Sequence, residues 1–196
     1  MKRLFDILSS FVILTLFSPI GIIVAIAIAF SSKGGVFYIQ ERVGKNQKPF
    51  GLLKFRTMAI GSDGKGKLTV GANDNRITSV GRTLRKFKLD EFPQFINVLF
   101  GQMSIVGPRP EVKEYVDLYT KEQLAVLNVK PGITDLASLE YFNENELLGK
   151  SKDPQKTYIE EVMPAKLQLN KEYLSNPSLR NDIKIMWRTF LKIVRY

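Results

Sequence analysis

The stretch FVILTLFSPIGIIVAIAIAF, Phe11 to Phe30, decides what kind of fold this chain can have. It carries no charged residue and has about the length an α-helix needs to cross a bilayer. Pro19 stands near its middle, where the missing N–H removes one helix hydrogen bond and bends the axis. Ser18 beside it is able to satisfy the carbonyl that proline frees, which makes a break tolerable in lipid. A signal peptide fits poorly because the apolar run is too long, although Ala27-Ile28-Ala29 imitates a cleavage site. An ordinary span and a re-entrant helix, which enters and leaves on one face, both fit the length. The flanking charges separate them. Lys2 and Arg3 precede the run, and Lys33, Arg42, Lys45 and Lys48 follow it, so both ends belong in the cytoplasm. One straight span cannot satisfy both ends; a helix broken at Ser18-Pro19 can. The expectation is a re-entrant membrane helix over residues 1–32 and a cytoplasmic, membrane-associated domain over residues 33–196.

Composition narrows the chemistry. The 196 residues suffice for one core, and they include no cysteine and no histidine. Structural zinc, thiol nucleophiles and histidine general bases are therefore excluded. A metal would have to sit on oxygen ligands, which favours magnesium or manganese. The formal charge of +10 calls for an anionic partner: nucleic acid, a phosphorylated small molecule or an anionic membrane surface.

Beyond the apolar run, VFYIQERVG (Val36–Gly44) and FGLLKFRTM (Phe50–Met58) read as a hairpin-like pair of strands. Gly61 to Asn75 reads as a loop, in which Gly61, Gly66 and Lys67 imitate a phosphate-binding P-loop. The imitation fails at Leu68, where the magnesium-binding Ser or Thr belongs. Helices are expected around 78–88, 91–100, 110–128, 155–174 and 178–194. In the last, Ile183, Met186, Trp187, Phe190, Leu191 and Val194 share one face. That face either packs on a core or lies in a membrane interface, with its tryptophan at headgroup level.

KLDEFPQF (Lys88–Phe95) poses the sharpest local question, because Arg82, Arg85, Lys86 and Lys88 run directly into Asp90 and Glu91. Neighbouring helical residues diverge by about 100°, so the two carboxylates cannot act as a symmetric dyad. Asp90 reads locally as an N-cap, with Glu91 in the first turn and Pro93 where its missing N–H costs nothing. Helix N-termini also attract anions. VGPRP (Val106–Pro110) fixes Arg109 between two prolines, either as a rigid surface turn or as an aimed, bidentate phosphate ligand. Lys54 and Arg56 flank Phe55 and are placed to share one strand face.

Four segments occur in order: RLFDILSSFVILTLFSPI, YIQERVGKNQKPFGLLKFRTM, VGRTLRKFKLDEFPQFINVLFGQMSIVGPRP and VKPGITDLAS. Together they closely resemble the bacterial sugar transferases, the monotopic phosphoglycosyl transferases, from about Lys2 to Ser138. The C-terminal basic helix is also similar, and the chain resembles the minimal form of the family. The resemblance implies transfer of a sugar 1-phosphate from a UDP-sugar to polyprenyl (undecaprenyl) phosphate, with release of UMP. This is the first membrane step of polysaccharide or glycoconjugate assembly, at the cytoplasmic face of the inner membrane. It implies that Asp90 attacks the sugar-bearing phosphate and forms a covalent phosphosugar intermediate, and that Glu91, with Asp90, holds magnesium (or manganese). It further implies that Lys54, Arg85 and Arg109 neutralise phosphates, and that Ser18-Pro19 breaks the re-entrant helix.

The chemistry is consistent with the residues, since a carboxylate needs no general base to become a nucleophile at neutral pH. The fold class expected is α+β and mainly helical: the re-entrant helix, a small β-hairpin, and a helical catalytic domain with amphipathic interfacial helices. The lipid bilayer is an expected partner. Downstream glycosyltransferases and a homo-oligomer are compatible with the sequence without being specified by it. A membrane-tethered nucleic-acid binder and a non-catalytic scaffold are the rival readings. Both leave Asp90, Glu91 and the Pro-Arg-Pro turn unexplained, so no nucleic acid is expected as a partner. After PGIT the chain departs from the relatives' pattern: Asp135 to Glu144 carries no arginine, and no phosphate or sugar contact is transferred there.

Overall fold

The computed structural model describes residues 1–31, 34–62, 68, 70 and 74–195. Gly66 and Lys67 of the P-loop imitation, and Lys33 of the charge flank, lie outside the described residues. Helix α1 (Lys2–Ser31) takes up the whole apolar run, with Pro19 inside it. The helix survives the proline because the lost bond is replaced. Ser18 Oγ donates to the Thr15 carbonyl at 2.8 Å, the acceptor that an N–H at position 19 would have used. The break expected at Ser18-Pro19 thus takes the form of a proline within one continuous helix.

One side of α1 is docked on the rest of the chain near both ends. Lys2 donates to the Val106 carbonyl and pairs with Asp182, and Arg3 donates to the carbonyls of Val98 and Leu99. Asp6, fully buried, accepts from the Ser104 hydroxyl at 2.9 Å and the Ile105 N–H at 3.1 Å. Toward the other end, Val24 and Ile28 pack with Phe55 and Leu84. The remaining faces expose Leu4, Phe11, Leu16, Ile23 and Phe30. By length and composition α1 could cross a membrane.

The hairpin forms as expected. Strands β1 (Phe37–Val43) and β2 (Pro49–Phe55) pair antiparallel, Phe37 opposite Phe55 and Val43 opposite Pro49. Helix α2 (Ser79–Lys86) starts where the Thr78 hydroxyl accepts the Gly81 N–H at 2.9 Å. Gly81 lies so close to the Thr57 carbonyl that a Cβ would meet its oxygen at 2.1 Å; only glycine lets α2 approach the end of the hairpin.

The middle of the chain is more broken than the hydrophobic pattern implies. Helix α3 covers only Gln94–Leu99. Strand β3 (Ser104–Val106) leads past VGPRP into α4 (Lys113–Val116), then a 3-10 segment Gln123–Asn128, then β4 (Gly132–Thr134). The single helix expected over 110–128 is replaced by these short pieces. Strands β3 and β4 pair in parallel, a pairing that three-residue strands do not announce in sequence. Helices α5 (Leu136–Glu140), α6 (Glu144–Gly149) and α7 (Pro154–Thr157) follow. The helix expected over 155–174 is α7, a π-turn at Tyr158–Val162 and α8 (Met163–Ser175). One buried cluster joins Val43, Val112, Tyr115, Leu148, Tyr158 and Leu167; a second joins Leu52, Val98, Met103, Ile105, Leu139 and Ile185.

Helix α9 (Leu179–Arg195) divides its expected apolar face, for Met186 packs against the second cluster. Ile185 and Asp182 turn inward, whereas Ile183, Trp187, Phe190 and Val194 stay exposed, with the Trp187 and Phe190 rings stacked 5.7 Å apart. The stripe at i, i+4, i+7 and i+11 does not pack on the core.

Candidate active site

The approach to the carboxylate pair is set by backbone geometry. Lys88 adopts φ 55°, a left-handed conformation that costs a non-glycine residue roughly 1–2 kcal/mol. It ends the basic run and throws the chain into a single 3-10 turn, Leu89–Glu91. Pro93, not Asp90, immediately precedes α3. The N-cap role expected for Asp90 is therefore replaced: its side chain is released from backbone duty.

What surrounds that side chain is electrostatic. Asp90 is 8% exposed, and among the described residues no hydrogen bond reaches its carboxylate. Burial, then the negative charge of Glu91, push the Asp90 carboxyl above the ordinary range, while Lys54, Arg85 and Lys88 draw it back down. Glu91 fares differently. Burial would raise it too, but the charge and the hydrogen bonds of Arg109 outweigh burial and hold it well below the usual carboxylate range. Arg109 meets it as a fork, Nη1 to Oε2 at 3.0 Å and Nη2 to Oε1. The Glu91 charge in turn raises Arg109.

Arg109 is aimed from behind as well. Its backbone N–H donates to Asp135 Oδ2 at 3.1 Å, and Asp135 also caps α5 by accepting the Ser138 N–H. Arg85 donates from Nε to Thr57 Oγ1 at 2.9 Å, and burial lowers its pKa. Burial also brings the Lys54 ammonium down to about 8, against the opposing pull of Glu91. Lys54, Arg85, Asp90, Glu91 and Arg109 all line one cavity of about 1020 Å³. Every expected catalytic and phosphate-binding residue is thus brought together.

Arg56 is not. It donates to the carbonyls of Gly35 and Phe37 and lies over the Tyr38 ring, so the strand face it was expected to share with Lys54 is divided between site and scaffold. Arg82 and Lys86 are exposed. Ser18 and Pro19 stay on α1, apart from the carboxylates. Lys88, named only as part of the basic run upstream, also lines the cavity. Asp135 and Thr57 were missed, although Asp135 three residues before Ser138 is a recognisable capping spacing.

The donor set bears on a metal. Among the described residues no group of three or more acidic side chains could cage an ion. Magnesium is commonly held by one or two carboxylates, with substrate phosphates and water completing its shell. Asp90 is open to such a role, whereas both oxygens of Glu91 are held by Arg109 and would have to share it with an ion.

The cavity thus joins a buried carboxylate, to which no described residue donates a hydrogen bond, with several cations, in a chain whose first helix bares apolar faces. The family model of bacterial sugar transferases matches residues 1–196, and the chain belongs to that family. It is 38% identical over 195 residues to the UDP-glucose:undecaprenyl-phosphate glucose-1-phosphate transferase of Klebsiella pneumoniae, covering 97% of this chain and 39% of that one. It is 36% identical over 196 residues to the UDP-N-acetylgalactosamine-undecaprenyl-phosphate N-acetylgalactosaminephosphotransferase of Aeromonas hydrophila, covering 98% and 43%. It is 34% identical over 206 residues to the exopolysaccharide production protein ExoY of Rhizobium meliloti (strain 1021), covering 96% and 83%. The chain thus spans about two fifths of the first two relatives and most of the third.

Proposed function

We propose that the chain transfers a sugar 1-phosphate from a UDP-sugar to polyprenyl phosphate, at the cytoplasmic face of the membrane. The observation that carries this reading is the Asp90 carboxylate, buried in a cavity walled by Lys54, Arg85, Lys88 and Arg109, with no hydrogen bond from a described residue. A carboxylate left in that state is available as a nucleophile. Its oxygen attacks the sugar-bearing phosphorus, a P–O bond forms to Asp90, and the bond to the bridging oxygen breaks so that UMP leaves with the electron pair. A polyprenyl phosphate oxygen then attacks the same phosphorus, the aspartyl bond breaks, and the carboxylate is restored. No proton has to be moved in either displacement, in keeping with a chain that has no histidine.

Like charge opposes both displacements. Lys54, Arg85 and Arg109 offset it and stabilise charge on the departing phosphate. Glu91, with Asp90, would hold magnesium, which would polarise the phosphoryl oxygens when bound. The apolar part of the same cavity, lined by Ile13 and Phe17 of α1 and by Ile183, Trp187 and Phe190 of α9, suits a prenyl chain arriving from the lipid side.

The docking of α1 supports a one-sided topology. Lys2, Arg3 and Asp6 near one end, and Val24 and Ile28 near the other, all bind the same domain. If that domain lies on one side of the bilayer, so do both ends of α1. A cysteine added ahead of Met1 in this cysteine-free chain should be shielded from an impermeant reagent in intact cells; labelling from outside would establish an ordinary span.

The activity is tested with detergent-solubilised protein, a panel of UDP-sugars, polyprenyl phosphate and magnesium. UMP release is expected, abolished by chelator, with a sugar-phosphate adduct on the Asp90 peptide when the acceptor is withheld. Turnover without any adduct, insensitive to Asp90→Asn, would refute the covalent route.

A further inference from the structure

Lys88 stands two residues before Asp90, and the two displacements above give it no task. Its backbone is held left-handed at φ 55°. Lys88 and Phe142 both line the cavity that holds Asp90 and Glu91, and the Lys88 charge draws both carboxyls down. The ammonium lies over the Phe142 ring, 5.0 Å from its centroid. Among the described residues no hydrogen bond or ion pair engages that ammonium. Other cations of the same walls are committed: Arg42 pairs with Glu111, Lys166 with Glu144 and Arg109 with Glu91.

The ring that meets Lys88 has a fixed place. Phe142 follows the end of α5, where the Tyr141 N–H donates to the Ala137 carbonyl at 2.8 Å. Lys192 of α9 lies over the same ring at 5.4 Å and donates to the Leu139 carbonyl. Of the two lysines at this ring, Lys192 is tied to the backbone and Lys88 is not. An aromatic face attracts an ammonium electrostatically and leaves its three N–H donors to other partners. The ring thus places the Lys88 charge without consuming its hydrogen bonds. Lys192 repels that charge, and an anion bound at Lys88 would offset the repulsion. A lysine held left-handed costs free energy, and residues in such conformations gather at functional sites.

We propose that Lys88 is a further phosphate-binding residue of this site and that Phe142 is the residue that positions it. The assignment rests on the transferase reading above and deepens it. The chemistry recognised is a phosphate oxygen, which the donor pyrophosphate and the acceptor phosphate monoester both supply. Lys88 donates N–H hydrogen bonds to that oxygen and offsets its charge as a point charge, where Arg109 acts as a fork. No bond is made to Lys88 and no proton leaves it.

The test is equilibrium binding, read by calorimetry or from Trp187, the single tryptophan, which lines the cavity. Two matched pairs isolate the phosphate: UDP against uridine, and a short prenyl phosphate against its prenol. Lys88→Gly deletes the ammonium and suits the left-handed backbone. It is expected to lower the preference for the phosphorylated ligand about 10-fold in one pair or both, the worth of a charge-assisted hydrogen bond. Uridine and prenol should bind as in the wild type. A loss with UDP assigns Lys88 to the donor, and a loss with prenyl phosphate assigns it to the acceptor. Lys88→Arg should keep most of the preference. Phe142→Leu should lower it about threefold, Phe142→Tyr should keep it, and Phe142→Leu should add nothing once Lys88 is glycine.

Wild-type preferences for both pairs in folded Lys88→Gly would overturn the phosphate assignment. A Phe142→Leu effect of full size in the double variant would overturn the positioning role. Wild-type protein that prefers the phosphorylated ligands but releases no UMP from any UDP-sugar would defeat the transferase reading and leave Lys88 as assigned. A wild type that prefers the phosphate of neither pair would overturn the proposal even where UMP is released.

Discussion

Two buried aspartates make an instructive pair. Asp182 on α9 is 2% exposed, accepts the Tyr173 hydroxyl at 2.6 Å and pairs with Lys2. Asp90 is almost as buried, and cations surround it, but no hydrogen bond from a described residue reaches it. The ingredients are the same: one carboxylate and basic side chains. At Asp182 every lone pair that matters is used and the group holds α9 to the root of α1. At Asp90 the cations act only through space, and the carboxylate keeps its reactivity.

The contrast is most easily broken at Asp90 itself. Asp90→Asn keeps the size and removes the anion. It should leave the melting temperature within a few degrees of wild type and lower turnover by roughly 10³-fold or more, as loss of a covalent nucleophile does. UMP release near wild type would end the distinction. The aim of Arg109 comes next. Arg109→Lys keeps the charge but loses the fork on Glu91, so steady-state rates should fall about 10²-fold, nearly as far as in Arg109→Ala. Rescue by lysine would reduce Arg109 to a source of charge.

The other aspartate should respond in stability. Asp182→Ala strands Lys2 and the Tyr173 hydroxyl, and denaturant titration should show a loss of about 2–3 kcal/mol. Activity per folded molecule should change little. A variant as stable as wild type would mean the Asp182 network is idle.

The smallest effect is a pH profile. The folded Lys54 ammonium titrates near 8, below the ordinary 10.5. Below pH 8 both folded and unfolded chains carry the proton, and burying that charge weighs against the fold. Between 8 and the ordinary value the folded chain has released a proton that the unfolded chain retains, so this group's contribution to stability rises with pH. Activity should run the opposite way: kcat/KM falls above pH 8 by about tenfold per unit as the charge facing the phosphates is lost. Lys54→Arg should move that limb to higher pH; an unmoved limb would release Lys54 from the role.

Much of this was legible in the residues. The hairpin followed from β-branched and aromatic runs, and the proline repair at Ser18 followed from simple counting along α1. Basic residues at 85 and 109 and the acidic pair were visible because charge of that density rarely lacks a purpose. The rest depended on distance. Strands β3 and β4 are three residues each and pair only because Gly107 and Gly132 let their backbones touch. The N-cap assignment for Asp90 failed because local pattern does not reveal that Lys88 turns left-handed. Lys54 and Arg56 looked equivalent until the edge of β2, the point where strand order ends, sent them to different duties.

The grip of Lys2 on Asp182 spans 180 positions of sequence, and this has a consequence for biosynthesis. At about 5–20 residues per second on the ribosome, roughly 10 to 40 seconds separate the synthesis of the two partners. Throughout that interval α1 presents bare leucine, isoleucine and phenylalanine with its anchor not yet made. Contacts of such long range are the slowest to close. Until α9 emerges, the nascent helix has only its contacts with residues 55 to 105 to shelter it, and lipid or a chaperone must cover the rest.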